Sequence, residues 1–472
     1  MNAISALSPR QQNLALVTLI IAVVLEIVDL TIINTALPAI SADFAANAEA
    51  VQWIVAGYAL SFALLLMAGG RLGDSFGYRR VFLIGVAGFT LSSMACGLAR
   101  NADELVAARL LQGATGAIMS PQAMALMQVL FSPLERVSKL ALFGLVGGLA
   151  AIAGPILGGL LIKANLLGLG WRLVFLINFP VGLLALVSGW YFLPERRSAH
   201  PAGFDAAGMA LLGAAVLGVL WPLTRSEAGW TWREWTSLSC VGPLVLWAWH
   251  HVSARIEARR PALFDPALFA IRPFRLGLAI SIAFAAANTG FLLAFAFALQ
   301  AERGETPLTT GLLHMPFGLG AMVGIAVLGR NFLPRYGKWV MVAGGVTMAL
   351  ATSAVLAGIG ALALPLPALT PLLVMAGLGM GALSGCIAPV AVAQVDKDHA
   401  GAASGLLKTA QQLGAALGIA LSGSIYFAWK GNAQIPPSLA VVSVIAGLLA
   451  LCVVLALRLP ERIFTRPQPT AS

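Results

Sequence analysis

The chain has 472 residues, 59% of them hydrophobic and only 10% charged, with a mean hydropathy of +0.89. A soluble domain carries about 25% charged residues, so this composition excludes a soluble core, and runs of helical length without two-residue alternation exclude a β-barrel. The formal net charge of +10 would suggest nucleic acid on a soluble chain; on a membrane chain it reflects Lys and Arg retained in cytoplasmic loops, and no nucleic-acid partner is expected.

Apolar runs near 14–36, 51–69, 81–99, 104–130, 140–162, 171–193, 205–224, 236–252, 276–299, 309–329, 339–359, 369–394, 402–427 and 438–457 predict an all-α polytopic membrane protein with fourteen spans. On that map, 21 of the 29 Lys and Arg fall on the side of the termini and 7 on the other, with Arg109 inside the membrane. The bias predicts a multi-pass protein of the inner or plasma membrane with both termini cytoplasmic.

The first span carries Glu26 and Asp29, the only two of the 19 acidic residues far from a predicted helix end. A carboxylate in hydrocarbon costs about 3 to more than 10 kcal/mol. Three residues apart, the two share one helix face, which should turn into a polar interior and handle protons or cations. The loop GRLGDSFGYRRV after the second span places Gly70, Gly73 and Gly77 at tight spacing, Asp74 to cap the next helix or pair with an arginine, and Arg79 and Arg80 toward the anionic leaflet. Simple anchoring of topology explains the loop, and a latch between conformations needs more than one loop to support it.

RLLQGATGAIMSP in the fourth span puts Arg109, Gln112, Gly113, Gly116 and Ser120 on one stripe. An intramembrane arginine needs a partner, and Glu26 and Asp29 are the available acids. GLVGGLAAIAGPILGGL in the fifth span is rich in glycine around Pro155, which suits either a static close contact or a moving interface. Trp221, Trp230, Trp232, Trp235, Trp247 and Trp249 crowd the turn between the seventh and eighth spans, as an interfacial belt would. The thirteenth span opens with Ser404, Lys408, Gln411 and Gln412 on one face, Lys408 placed to snorkel. The four cysteines lie in apolar runs without metal-ligand spacing. No GxxxxGK[ST] segment or nucleophile–base pairing is present, so an enzyme is not expected.

The longest basic loops, 194–205 and 253–275, divide the map into an N-terminal bundle of six helices at 1–197, a two-helix linker at 198–272, and a C-terminal bundle of six helices with a short tail at 273–472. GGRLGDSFGYRRV and LGRNFLPRYGKWV occupy corresponding positions in the two halves, the weak internal similarity of a transporter built from parallel repeats.

Together these motifs resemble the major facilitator superfamily, and within it the fourteen-helix drug–proton antiporter branch, the EmrB/QacA-like group. The segment from Asp29 through Asn34 to Pro38 looks like that branch's first-helix signature, and residues 70–80 resemble the superfamily's loop motif. Arg109 with Gln112 and Gly113 matches the fourth-helix motif. Gly154, Pro155, Gly158 and Gly159 match the fifth-helix antiporter motif, and Trp171, Arg172, Phe175, Asn178, Pro180 and Gly182 resemble the sixth-helix signature. In the second half Gln300, Pro307, Gly311 and Pro316 fit. The chain departs from the pattern at Ser75, Tyr78, Ala150, Lys408 and Gln411, and Glu26 is an addition to it.

The resemblance implies the major facilitator fold with two extra central helices, and a proton-coupled multidrug exporter of small lipophilic compounds, cationic ones included, working by alternating access. Asp29, Glu26 and Arg109 would couple protons. Glu26, Asn34, Gln112 and Gln412 would line the substrate cavity, and Gly70, Asp74, Gly77, Arg79, Arg80, Gly154, Pro155, Gly158 and Gly159 would carry the conformational change. The proton gradient would supply the energy with no cofactor and no metal, and a periplasmic adaptor protein is a candidate partner. An importer or facilitator of a metabolite, or a membrane sensor on the same fold, are the alternatives.

Overall fold

The computed structural model describes residues 8–197, 205–225, 231–258, 260, 262, 264–396, 400–432 and 434–460. Every regular element within them is helical. The long helices begin where a polar cap meets an apolar run. Ser8 and Gln11 form a capping box ahead of α1 (Pro9–Asp43), with Ser8 N donating to Gln11 Oε1 at 2.9 Å. Asn47 caps α2 (Ala48–Phe76), its Oδ1 accepting from Ala50 N at 2.8 Å. Gly77 turns the chain into α3 (Tyr78–Leu98), Asn101 caps α4 (Ala102–Leu130), and Ser132 with Glu135 boxes the start of α5 (Pro133–Ala164). The short α6 (Leu173–Leu176) runs on into α7 (Asn178–Phe192), and α8 (Ala206–Thr224) and α9 (Trp232–Glu257) follow.

Beyond these lie α10 (Arg272–Phe297), α11 (Pro307–Val323), α12 (Leu333–Tyr336), α13 (Lys338–Gly360), α14 (Leu366–Val392), α15 (Ala400–Ala428) and α16 (Pro437–Leu457). A π-helical stretch at Gly324–Phe332 joins α11 to α12. Among the described residues, eleven helices are long and apolar enough to cross a membrane. The runs expected at 104–130, 236–252 and 402–427 form α4, α9 and α15, which are long enough but more polar. Arg109 and Gln112 weigh on α4, Arg233 and Glu234 on α9, and Lys408, Gln411 and Gln412 on α15.

The chain forms two compact units, one of residues 1–217 and 299–315, the other of 218–298 and 316–472. In the first, Leu19, Phe82, Val86 and Met127 pack one apolar core, and Leu25, Tyr58, Phe62 and Phe89 pack a second. α2 and α4 approach almost backbone to backbone: a Cβ on Gly113 would stand 2.3 Å from the Tyr58 carbonyl oxygen, so only glycine permits this crossing. In the second unit, α10 lies against α15, where the Phe297 ring meets Tyr426 at a tilt and Phe427 edge to face. Trp221, Trp232, Trp235, Trp247 and Trp249 are exposed, as an interfacial belt requires; Trp230 lies outside the described residues.

Candidate functional site

One polar network is buried within the first unit, and α1, α2, α3, α4 and α7 each contribute to it. Asp29, at the middle of α1, has no exposed surface. Its Oδ2 accepts from Arg109 Nη1 at 2.7 Å. Its Oδ1 accepts from Gln112 Nε2 at 2.7 Å and from Asn178 Nδ2 at 3.0 Å. Arg109, equally buried, also donates from Nη1 to Gln112 Oε1 at 2.7 Å and from Nε to the Ile54 carbonyl at 3.1 Å. Its guanidinium lies over the Tyr58 ring at 4.4 Å, an added attraction for a desolvated cation. Gln112 Oε1 accepts from Cys96 Sγ as well, at 3.4 Å. Asn178 donates to Ser93 Oγ at 2.9 Å, and Ser93 passes the chain on to the Phe175 carbonyl at 3.0 Å.

A buried acid and guanidinium are tolerable only when their remaining lone pairs and protons are also satisfied. Three donors on one carboxylate meet that condition. The arrangement ties α1 to α4 and α7 through one carboxyl group.

Glu26 lies one turn earlier on α1 and is buried. Asn34 is buried one turn and a half beyond Asp29, its Nδ2 donating to the Thr31 carbonyl at 3.4 Å. Gln112 belongs to the ion-pair network and has no exposed surface. Gln412 lies half-buried on α15, in the second unit. The structure therefore joins Asp29, Arg109 and Gln112, keeps Glu26 and Asn34 on the same helix as Asp29, and places Gln412 elsewhere.

The fifth-helix motif makes two contacts. A Cβ on Gly154 would stand 2.0 Å from Thr31 Oγ1, and one on Gly158 2.9 Å from Ile32 Cγ1, so both glycines seat α5 against α1. Gly159 turns instead to the start of α11, where its Cβ would meet the Pro307 carbonyl oxygen at 2.5 Å. The Pro155 carbonyl in turn lies against Gly311. Gln300 completes this side by donating to the Thr35 carbonyl of α1 at 3.0 Å.

In the loop motif Gly70 faces Pro121 with room for a Cβ at 3.8 Å, while Gly77 has φ +98°, a conformation glycine adopts without strain. Asp74 does not cap α3. It sits in the last turn of α2, where its Oδ1 accepts from the Tyr78 hydroxyl at 2.8 Å, and Gly77, the residue at the cap position, has no side chain to offer. Arg79 donates to Glu195 Oε1 at 3.2 Å, and Arg80 is exposed.

Sequence reasoning placed Arg109 against an acid of the first span but gave no role to Ser93, Cys96, Tyr58 or the Ile54 carbonyl. Asn178 was visible only as one letter of a signature. Its signal was available: an amide in the middle of an apolar run costs free energy unless it is hydrogen-bonded.

Membrane-length helices packed with a buried acid–guanidinium pair mark a multi-pass membrane protein. A model of the Major Facilitator Superfamily matches residues 19–419 and 278–471, and the chain belongs to that superfamily. It is 37% identical over 416 residues to the "Probable actinorhodin transporter" of Streptomyces coelicolor, covering 87% of this chain and 72% of that relative. It is 35% identical over 420 residues to the "Tetracenomycin C resistance and export protein" of Streptomyces glaucescens, covering 88% and 76%. To the "Multidrug resistance protein Stp" of Mycobacterium tuberculosis it is 31% identical over 444 residues, covering 91% and 78%. Among solved structures, an inward-facing, occupied crystal structure of a bacterial homologue of the human lysosomal transporter Spinster matches with a TM-score of 0.69 at 17% identity, over 98% of this chain and 100% of that one. That likeness is one of fold.

Proposed function

We propose that this protein is a proton-coupled exporter of small lipophilic compounds, cationic ones included, operating by alternating access in the plasma membrane. Fourteen spans with cytoplasmic termini, arranged as bundles at 1–197 and 273–472 around a linker at 198–272, complete the reading. The observation that carries it is the Asp29 carboxylate, fully buried and held by Arg109, Gln112 and Asn178. A carboxyl group bound this way can exist in two states. Ionised, it draws α1, α4 and α7 together; protonated, it releases Arg109 and loosens that joint. Coupling needs such a charge-dependent joint, because a proton moves a conformational equilibrium only through its differential binding to the two states.

Glu26, on the same helix and one turn away, would meet a cationic substrate or take a second proton, and Asn34 would offer it a hydrogen bond. Gln112 acts through Asp29 and Arg109. The named relatives, which include a tetracenomycin C resistance and export protein and a multidrug resistance protein, support export of drug-like molecules over import. The test is transport by the purified protein in liposomes under an imposed pH gradient. Wild-type protein should accumulate a lipophilic cationic dye against its gradient, and Asp29→Asn should not. Uphill transport by Asp29→Asn would refute the coupling assignment. Transport by wild type that ignores the pH gradient would refute proton coupling altogether.

A further inference from the structure

The segment after α7 folds back on the junction of α2 and α3. Tyr78 N donates to the Arg196 carbonyl at 2.9 Å. Arg79 holds that segment and the last turn of α7: its guanidinium donates to Glu195 Oε1 and to the Trp190 carbonyl, and lies over the Trp190 ring at 5.3 Å. At Gly77, with φ +98°, a Cβ would come within 3.3 Å of Arg197 Cγ, so the bare glycine lets the Arg197 stem lie across the turn. These contacts leave an open cleft of about 800 Å³.

The cleft has two chemically distinct sets of lining residues. One carries four guanidiniums, those of Arg79, Arg80, Arg196 and Arg197, against the single carboxylate of Glu195. That carboxylate is 85% exposed and engaged by Arg79. The other is apolar: Phe76, Leu83, Ile84 and the exposed Trp190 ring, over which the Arg79 guanidinium lies. Arginine binds phosphate oxygens through paired planar donors, and a tryptophan exposed at a helix end sits at headgroup level. A free phosphate would satisfy the arginines and leave the apolar residues uncovered. An anionic phospholipid satisfies both.

We propose that this cleft is a binding site for one anionic phospholipid. Its phosphodiester would lie on Arg80, Arg196 and Arg197, and its first acyl methylenes against Leu83, Ile84 and Trp190. Arg79 is a positioning residue that keeps the 195–197 segment in place. The site is distinct from the Asp29 network and does not depend on export or its coupling to protons.

Native mass spectrometry of the full-length protein in detergent micelles tests it, with phosphatidylglycerol, phosphatidylcholine and inorganic phosphate as probes. One phosphatidylglycerol should be retained in preference to phosphatidylcholine. The double variant Arg80→Gln/Arg197→Gln should weaken that retention about 30-fold, from about a fivefold loss for each basic residue near a headgroup. It should leave phosphatidylcholine adducts unchanged, which also reports an intact fold. Arg80→Lys/Arg197→Lys, which keeps the charge, should bind within a few-fold of wild type. Equal retention of the two lipids would overturn the proposal, as would undiminished phosphatidylglycerol binding by the glutamine variant. Displacement of phosphatidylglycerol by an equal concentration of inorganic phosphate would assign the cleft to the free anion and overturn the lipid assignment.

Discussion

Replacing Asp29 and Arg109 singly and together separates what the buried pair contributes from what each residue contributes alone. In Asp29→Asn the amide keeps one oxygen where the carboxylate had two. It can face Arg109 Nη1, now at 2.7 Å, or the Gln112 and Asn178 amides at 2.7 and 3.0 Å, but not both. Whichever side it serves, its NH₂ meets a donor on the other, and the guanidinium stays charged because arginine does not lose its proton. Breaking one side of a buried pair in this way costs about 3–5 kcal/mol. In Arg109→Gln the carboxylate keeps two amide donors and can become neutral by taking up a proton, so its cost falls at or below about 3 kcal/mol. The double variant leaves neutral amides only. It should be more stable than Asp29→Asn, with a coupling between the sites of about 2–3 kcal/mol. Reversible unfolding in mixed detergent micelles measures all four proteins. If the two single costs add to the double within about 0.5 kcal/mol, the pair has no coupling and the reasoning from the network fails, whatever transport shows.

Gly158→Val should insert normally and bind substrate in detergent, yet lose at least tenfold in transport, since even its Cβ would press within 2.9 Å of Ile32 and overpacking costs about 1–3 kcal/mol; wild-type transport kinetics would contradict a close, working α1–α5 crossing. Glu26→Gln should narrow the substrate range, with efflux of cationic dyes falling well before that of neutral ones; equal losses for both classes would remove Glu26 from substrate recognition. Glu135 precedes the span at Ser138–Ala164, and the Ser132 side chain and backbone N–H hold its carboxyl below the ordinary range. A depressed carboxyl stabilises above its unfolded value and loses that contribution as pH falls through the folded one. Hydrogen-exchange protection in the first turn of α5 should therefore fall on acidification from about pH 4.3 downward, and Ser132→Ala should lower it at neutral pH and flatten the acid response. Reporter fusions in the turn between α8 and α9 should read as external; a cytoplasmic signal there would reverse the assigned sidedness from α8 onward.

What could be read from the chain followed from the cost of charge in hydrocarbon. Asp29 and Arg109 were conspicuous because neither belongs in an apolar run, and their spans had to bring them together. Gln112, Asn178 and Ser93 were not conspicuous in the same way. An amide or hydroxyl can bond its own helix backbone, as Thr90 and Ser92 do here, so type and spacing do not show which ones reach across to another helix. Asp74 was misread for a related reason: its nearest competing partner, the Tyr78 hydroxyl, lies four residues away across the Gly77 turn, and the direction of that turn is not written in the spacing of the glycines. The basic residues at 79–80 and 196–197 read as two separate loops. Only the folded-back 193–197 segment makes them neighbours.

The first unit does not end with the first half of the sequence. Residues 299–315 belong to it, with Gln300 bonded to α1 and the start of α11 seated on Gly159 and Pro155 of α5. A ribosome that has delivered residues 1–217 has therefore not yet delivered the last piece of that unit. During synthesis α1 and α5 must wait, with part of their facing backbones bare, until more than eighty further residues have emerged. A gene cut in two at the turn after α8 would produce an N-terminal fragment that stays incomplete until its other half supplies the missing strap.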